Sequence, residues 1–252
     1  MERQTNKTTN RSYLQIFSLT LFISVITTGC ASFGDTNNNE THDPFEPYNR
    51  AVHNFNQSFD RTIATPVAET YQAVMPHWAD KGVTNFFGNL GDVLVLTNNL
   101  LQLKFQQAAS DAARILFNTT AGLLGFIDVA SHMDLPKHNE DFGQTLGYWG
   151  VPGGPYFVLP FLGPSTIRDT AGMAVDYTYI DPITNNVEHI KARSALFLTN
   201  FVDTRADFLG ASRLLETAAM DHYAYTREAY LQRRQYYVYD GDPPMDDFED
   251  ME

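Results

Sequence analysis

Between Gly82 and Gln102 the chain carries one charged side chain, Asp92, in a run dense in Phe, Leu, Val and Asn (VTNFFGNLGDVLVLTNNLLQ). Glycine weakens a helix interior, so Gly88 and Gly91 are expected to cut the run into pieces too short to span a bilayer as one helix. Short helices that are apolar almost all round must be buried in a core or in lipid. The interspersed Asn residues also suit a body lying within one leaflet with its polar groups turned inward. A further helix is expected from Phe105 to Asn118, with Ala108, Ala109, Ala112, Ile115 and Leu116 available for close packing. An apolar stretch with two glycines, Gly122 and Gly125, then runs to Asp128.

The N-terminus points to lipid as well. Arg3, Lys7 and Arg11 precede an apolar run from Tyr13 to Ile26, and small residues then lead to Gly29 and Cys30. A basic segment, an apolar segment and a small-residue cleavage site together describe a secretory signal peptide, here residues 1–29. Thr27-Thr28-Gly29-Cys30 resembles a bacterial lipobox, with Thr27 where Leu is usual. Cys30 is the only cysteine of 252 residues, so an intramolecular disulfide is impossible and acylation of the new N-terminus is the expected fate of its thiol. Ala31 after it favours sorting to the outer membrane. Two or more acyl chains give stable attachment where one does not. Residues 30–43 then form an acylated polar tether.

Cleavage before Cys30 removes Glu2 and the three basic residues, leaving 14 Lys/Arg against 29 Asp/Glu and a formal charge of −15. Nucleic acid is excluded as a partner, because binding it needs a basic stripe that displaces counterions. Residues 240–252 hold seven acids and no base. Residues 238–252 therefore read as a disordered acidic tail, solvated or serving as a docking segment. No linker or repeat divides residues 44–237, which are expected to form one mainly α domain.

That domain should open with Asp43 as N-cap and Pro44 at the first helical position. Phe45, Tyr48, Val52, Phe55, Phe59 and Ile63 recur at helical spacing as one aromatic stripe, and a core-facing role is its default reading. Pro66 is expected to interrupt this helix, a second should carry Val67, Tyr71 and Val74, and Pro76 should stop it. Residues 141–169 alternate glycine with aromatic residues. Within them Val151-Pro152-Gly153-Gly154-Pro155 is a turn signal between short aromatic runs of strand character, hence a hairpin-like loop. Pro155 and Pro160 bar a central strand. Ser165 then reads as the N-cap of a helix over 166–175. The last structured piece, 192–237, is expected as two helices broken near Gly210, with apolar faces at Leu196, Phe197 and Phe201, and at Leu214, Leu215, Ala218 and Ala219. Tyr223, Arg227, Tyr230, Arg233 and Arg234 bring aromatic and basic groups onto neighbouring turns, either a packed Tyr stripe with exposed Arg or a surface for lipid phosphates.

Recognisable catalytic chemistry is absent: there is no G-x-S-x-G, H-E-x-x-H, C-x-x-C or P-loop. His132 and His138 flank Asp134 and admit either a metal site or an ordinary polar loop. No enzyme activity, cofactor or metal is expected.

Four blocks carry a family resemblance. They are Asp43-Pro44-Phe45-Glu46-Pro47-Tyr48-Asn49-Arg50 with Asn54-Phe55-Asn56, and Gly122 to Ala130. The third runs from Asp141-Phe142-Gly143 through Gly150-Val151, Gly154-Pro155-Tyr156 and Leu159-Pro160 to Arg168-Asp169, and the last is Arg227 to Leu231 with Arg233-Arg234. Their order and spacing resemble the MlaA/VacJ family of outer-membrane lipoproteins over nearly all of residues 43–236. The resemblance implies a ring-like, mostly helical body in the inner leaflet of the outer membrane, facing the periplasm and enclosing a polar channel. Phospholipids mislocalised to the outer leaflet would pass through it to a soluble periplasmic lipid carrier, with a trimeric porin as neighbour. The competing class is a non-catalytic envelope scaffold associated with porins. Two site expectations accompany the transport reading. Gly147, Tyr148, Trp149, Gly150, Val151, Pro152, Gly153, Gly154 and Pro155 would form a loop that modulates passage, or a merely structural turn. Asn54 and Phe55 would set the register of the first helix, their removal turning it by about half a turn.

Overall fold

The computed structural model describes residues 43–218 and 220–244. The leader, Cys30 and the tether before Asp43 lie outside the described residues, as do the tail after Pro244 and the side chains of the apolar face expected at 214–219. The first helix, α1 (Glu46–Phe59), starts later than expected: Phe45 is its N-cap, with no side-chain cap bond, and Pro47 rather than Pro44 occupies the first turn. Proline suits that place because the first-turn N–H groups have no helical acceptor. Pro66 does not break the run. A π turn (Asp60–Ala64) absorbs its missing donor, with the Thr65 N–H reaching the Asp60 carbonyl, and α2 (Thr65–Val74) follows directly. The stop comes at Met75, forced into extended backbone by Pro76.

Most of the aromatic stripe of α1 faces outward, contrary to its default reading; only Val52 and Phe59 are half-buried, Val52 against the cluster of Tyr156, Val158 and Tyr223. Phe45, Tyr48, Phe55 and Ile63 are about half exposed, whereas Asn49 is fully buried. The same inversion governs α3 (His77–Leu101), a single unbroken helix of 25 residues in which Gly88 and Gly91 are interior positions. Its buried side chains are Asn89, Asp92, Val95, Asn98 and Asn99. An antiparallel partner, α4 (Phe105–Thr120), buries Ala108, Asp111, Arg114 and Asn118, while Ala109, Ala112 and Leu116 are exposed. Polar groups satisfy one another across this pair. Asn99 donates to Asp111 at 2.7 Å, and Arg114, 1% exposed, reaches Asp92 at 3.4 Å, Asp128 at 3.3 Å and the Leu135 carbonyl at 2.8 Å. Removing one member of such a buried pair strands the other charge and costs about 3–5 kcal/mol. His138 bonds Asp111 at 2.7 Å and His132 the Asp128 carbonyl at 2.9 Å, and no group able to hold a metal ion occurs among the described residues.

A 3₁₀ turn (Ala130–Met133) leads to α5 (Phe142–Tyr148), then to the antiparallel strands β1 (Tyr156–Leu159) and β2 (Gly163–Thr166). The hairpin is real but displaced from the 151–155 turn signal. Residues 160–162 make its turn, with Phe161 at φ 64, and the aromatic run before Gly150 is helical. Pro164 pairs with Val158 within this two-stranded sheet. Thr166, not Ser165, caps α6 (Ile167–Val175) by accepting from the Asp169 N–H at 3.2 Å. A second π turn (Asp176–Ile180) and α7 (Pro182–Asn186) follow. Three helices, where two were expected, complete the chain: α8 (Ile190–Asp207), α9 (Leu209–Ala218) and α10 (His222–Val238). The break after α8 falls at Phe208, and Asp221 restarts the chain by capping α10 through the Tyr223 and Ala224 amides.

From Pro44 onward the chain is one mainly α unit whose packing order closes on itself. α1 packs on β1, β2 on α10, α10 on α5, α5 on α3, α3 on α8 and α8 on α2, which continues back into α1. Among the described residues nineteen polar or charged side chains are buried against eleven apolar ones, while Trp78, Val74, Leu123, Leu124, Phe105 and Leu198 are each at least 64% exposed. A water-soluble domain has the opposite bias. No described helix is long and apolar enough to cross a membrane.

Candidate functional site: an acidic cavity inside the helical circuit

Two glycines bring the site together. A Cβ on Gly172 of α6 would stand 2.3 Å from the Gly143 amide nitrogen, so only glycine lets α6 cross α5 this closely. The crossing sets Asp141, the N-cap of α5, near Asp169 on α6. Arg234 of α10 joins them, its guanidinium contacting Asp141 at 2.5 and 2.6 Å and Asp169 at 3.0 Å, while Tyr230 one turn earlier donates to Asp169 at 2.7 Å. Arg234 is thus neither an exposed base nor a free surface contact. Burial pushes the Asp141 and Asp169 carboxyls up, but Arg234 overcomes it and holds both below the usual range, Asp169 at about 2.

This clamp forms one wall of a cavity of about 370 Å³, within the range of small-molecule sites. Phe87, Leu90 and Leu94 of α3 and Phe197 of α8 supply apolar surface, and Asp176, Tyr177 and Asp181 complete the polar side. Asp176 accepts the Phe142 N–H at 2.9 Å and an Asn98 N–H at 3.2 Å and forms no ion pair among the described residues, Arg234 acting on it only from a distance. Its carboxyl is pushed up to about 6 by burial, with the Asp141 charge adding to the effect and the two hydrogen bonds and the Arg234 charge opposing it.

None of residues 147–155 lines the cavity. Gly147 and Tyr148 end α5, Trp149 is its C-cap, and Gly150 at φ 83 reverses the chain while the Val151 N–H returns to the Leu146 carbonyl at 2.9 Å. Pro152, Gly153, Gly154 and Pro155 lead on into β1, with Gly154 at φ 71. The link to the cavity is indirect: the Gly153 carbonyl accepts the Arg168 N–H at 3.1 Å, tying the loop to the start of α6. Tyr148 and Trp149 are 46% and 59% exposed, and the Trp149 indole N–H donates to the Leu101 carbonyl at 3.2 Å.

Asn54 is exposed and Phe55 meets Phe161 edge-on at 5.1 Å, so neither residue reaches the cavity. Their neighbours do the holding. The Asn49 amide donates to the Tyr156 carbonyl at 3.2 Å and accepts the Val158 N–H at 2.8 Å. Asn56, two turns on, donates to the Leu159 carbonyl at 2.9 Å and accepts the Phe161 N–H at 2.8 Å. Two amides seven residues apart thus mimic a third strand along β1. The seven-residue spacing was visible in the sequence, but the aromatic stripe beside it drew the helix's inner face to the wrong side.

Residues 41–237 match the family model described as MlaA lipoprotein. The chain is 37% identical over 219 residues, 85% of either chain, to the Escherichia coli K12 protein named intermembrane phospholipid transport system lipoprotein MlaA. It is 36% identical over 228 residues to the Haemophilus influenzae protein of that name, covering 88% of this chain and 90% of the other. A solved structure from work on the structural basis for maintenance of bacterial outer membrane lipid asymmetry superposes with a TM-score of 0.69 at 31% identity, over 78% of this chain and 99% of that one.

Proposed function

The chain belongs to the MlaA lipoprotein family, and on that premise we propose that it draws mislocalised phospholipids out of the outer leaflet through a cavity whose wall carries both charged and apolar side chains. It is an outer-membrane lipoprotein of a phospholipid transport system and not an enzyme. Cys30 carries the acyl anchor in this reading, and the body sits in the inner leaflet facing the periplasm, beside a trimeric porin. Lipid is handed to a soluble periplasmic carrier. A charged or zwitterionic head cannot cross hydrocarbon unaided at useful rates, because desolvating it is costly. A polar passage removes that cost for the head while the tails remain in lipid.

The observation that carries this reading is the inversion of polarity: large apolar side chains such as Val74, Trp78, Leu123 and Leu124 are exposed, while Asp141, Asp169, Asp176, Asp181 and Arg234 line a cavity together with Phe87, Leu90, Leu94 and Phe197. The modulating role is given to residues 147–155, which reach the cavity wall through α6. Deleting the gene tests the reading. Phospholipid should accumulate at the cell surface and return to its normal level when the full chain is restored. A scaffold would leave surface phospholipid unchanged while porin assembly failed, and that result would replace this reading.

A further inference from the structure

The charges on the cavity wall do not balance locally. Asp141 and Asp169 are matched by Arg234, and Asp169 also by Arg168 at 3.0 Å. Among the described residues Asp176 and Asp181 have no Lys or Arg within ion-pair distance; Asp176 accepts from the Phe142 amide and Asn98, and Asp181 accepts the Thr184 N–H at 2.6 Å as the cap of α7. Both are at least 93% buried and both line the cavity. A second, independent feature lies on the same wall. Tyr177 and Phe197 pack edge-to-face with ring centres 6.1 Å apart, and Phe87 and Tyr230 add further aromatic surface. Carboxylates outside ion pairs, set among aromatic rings in a cavity, are the chemistry that holds an organic ammonium ion, through charge and through the negative ring faces. An anionic head would instead meet two carboxylates that no ion pair neutralises.

We propose that the cavity discriminates among phospholipids, favouring those whose head bears a protonated amine, with Asp176 and Asp181 as the specificity-determining carboxylates and Tyr177 and Phe197 as the aromatic wall. The proposal rests on the cavity being the lipid passage and adds which head group it favours. Asp141, Asp169, Asp181 and Arg234 share the wall with Asp176. Arg234 holds Asp141 and Asp169 ionised at mildly acidic pH, whereas Asp176 gains its proton near pH 6. Selectivity should therefore weaken as pH falls through that value.

The test uses the full-length lipoprotein purified in mild detergent and offered equal amounts of phosphatidylethanolamine and phosphatidylglycerol with the same acyl chains, bound lipid being read by native mass spectrometry. At pH 7.5 the amine lipid should be enriched about tenfold, the effect of one carboxylate outside an ion pair in a site of intermediate polarity. The ratio should fall severalfold at pH 5. Asp176→Asn should lower the ratio at pH 7.5 to the pH 5 value and make it independent of pH. Asp181→Asn, which keeps an acceptor for the α7 cap, should lower it as well. Equal uptake of the two lipids, or a wild-type ratio flat from pH 5 to 7.5, overturns the selectivity and leaves the passage standing. Binding of neither lipid overturns the passage and the selectivity together.

Discussion

Replacing Asp176 by Asn should make the folded protein more stable at neutral pH, although it removes a side chain bonded to two elements. Asp176 is 5% exposed and its carboxyl sits at about 6, against an ordinary value of 3.8. That gap corresponds to about 3 kcal/mol of folding free energy. The folded chain holds this proton more tightly than the unfolded one. Stability from this group is therefore fully present below about pH 4 and lost as pH rises through about 6. An amide at 176 accepts the Phe142 N–H as before but turns its NH₂ toward the Asn98 donor, a mismatch of about 1 kcal/mol. The net gain is about 2 kcal/mol at pH 8, a rise in Tm of about 4–8 °C for a domain of this size. Below pH 4 the variant should be about 1 kcal/mol the less stable, with the two curves crossing near pH 4.5. Thermal melts of both proteins in one detergent across pH 4–8 read this directly, and taking the difference cancels the opposite trend contributed by Asp141 and Asp169. A variant that melts lower by the same amount at every pH would refute the reasoning.

Three further predictions concern the elements around the cavity. Asn56→Ala removes two hydrogen bonds from the hairpin, loosening it by about 2 kcal/mol, so the Phe161 amide should lose hydrogen-exchange protection. Deleting Asn54 and Phe55 shortens the Asn49–Asn56 spacing to five residues and swings the second amide about 160° away from β1. It should expose the same amide and change the phospholipid content of the outer leaflet; unchanged protection would disprove the clasp. Gly153→Ala places its Cβ in ordinary contact with Thr166 and should be neutral, whereas Gly154→Ala forces a side chain onto φ 71 at a cost of about 1–2 kcal/mol. Lipid transfer in cells carrying each variant compares them, and equal effects would exclude backbone strain as the cause.

Much of the helical pattern was legible because period and punctuation are local. Pro76 stops its helix as the sequence suggests, whereas the helix expected from 166 starts at Ile167 with Thr166 rather than Ser165 as its cap. The identity of the inner face was not. Phe45, Tyr48, Phe55 and Ile63 do share a face, but calling that face the core presumes water outside. Where the surroundings are apolar the inequality reverses, and Asn49 turns inward instead. The same inversion explains α3. Its glycines would weaken an isolated helix in water, but Asn89, Asp92, Asn98 and Asn99 hold it through long-range partners on α4 and the residues beyond. The Arg234 clamp could not be seen either, because Asp141 and Asp169 lie 93 and 65 residues away. Its one local trace was the Tyr230–Arg234 spacing, which reads equally well as a surface feature.

The central claim is that lipid head groups enter the cavity. A photo-reactive phenylalanine analogue at Phe197 on its wall, and another at the exposed Glu188 as control, test this in living cells that make the full-length lipoprotein. The account predicts intact phospholipid attached at position 197 and none at 188. A folded, membrane-bound protein that captures no lipid at 197, or equal amounts at both, would contradict it.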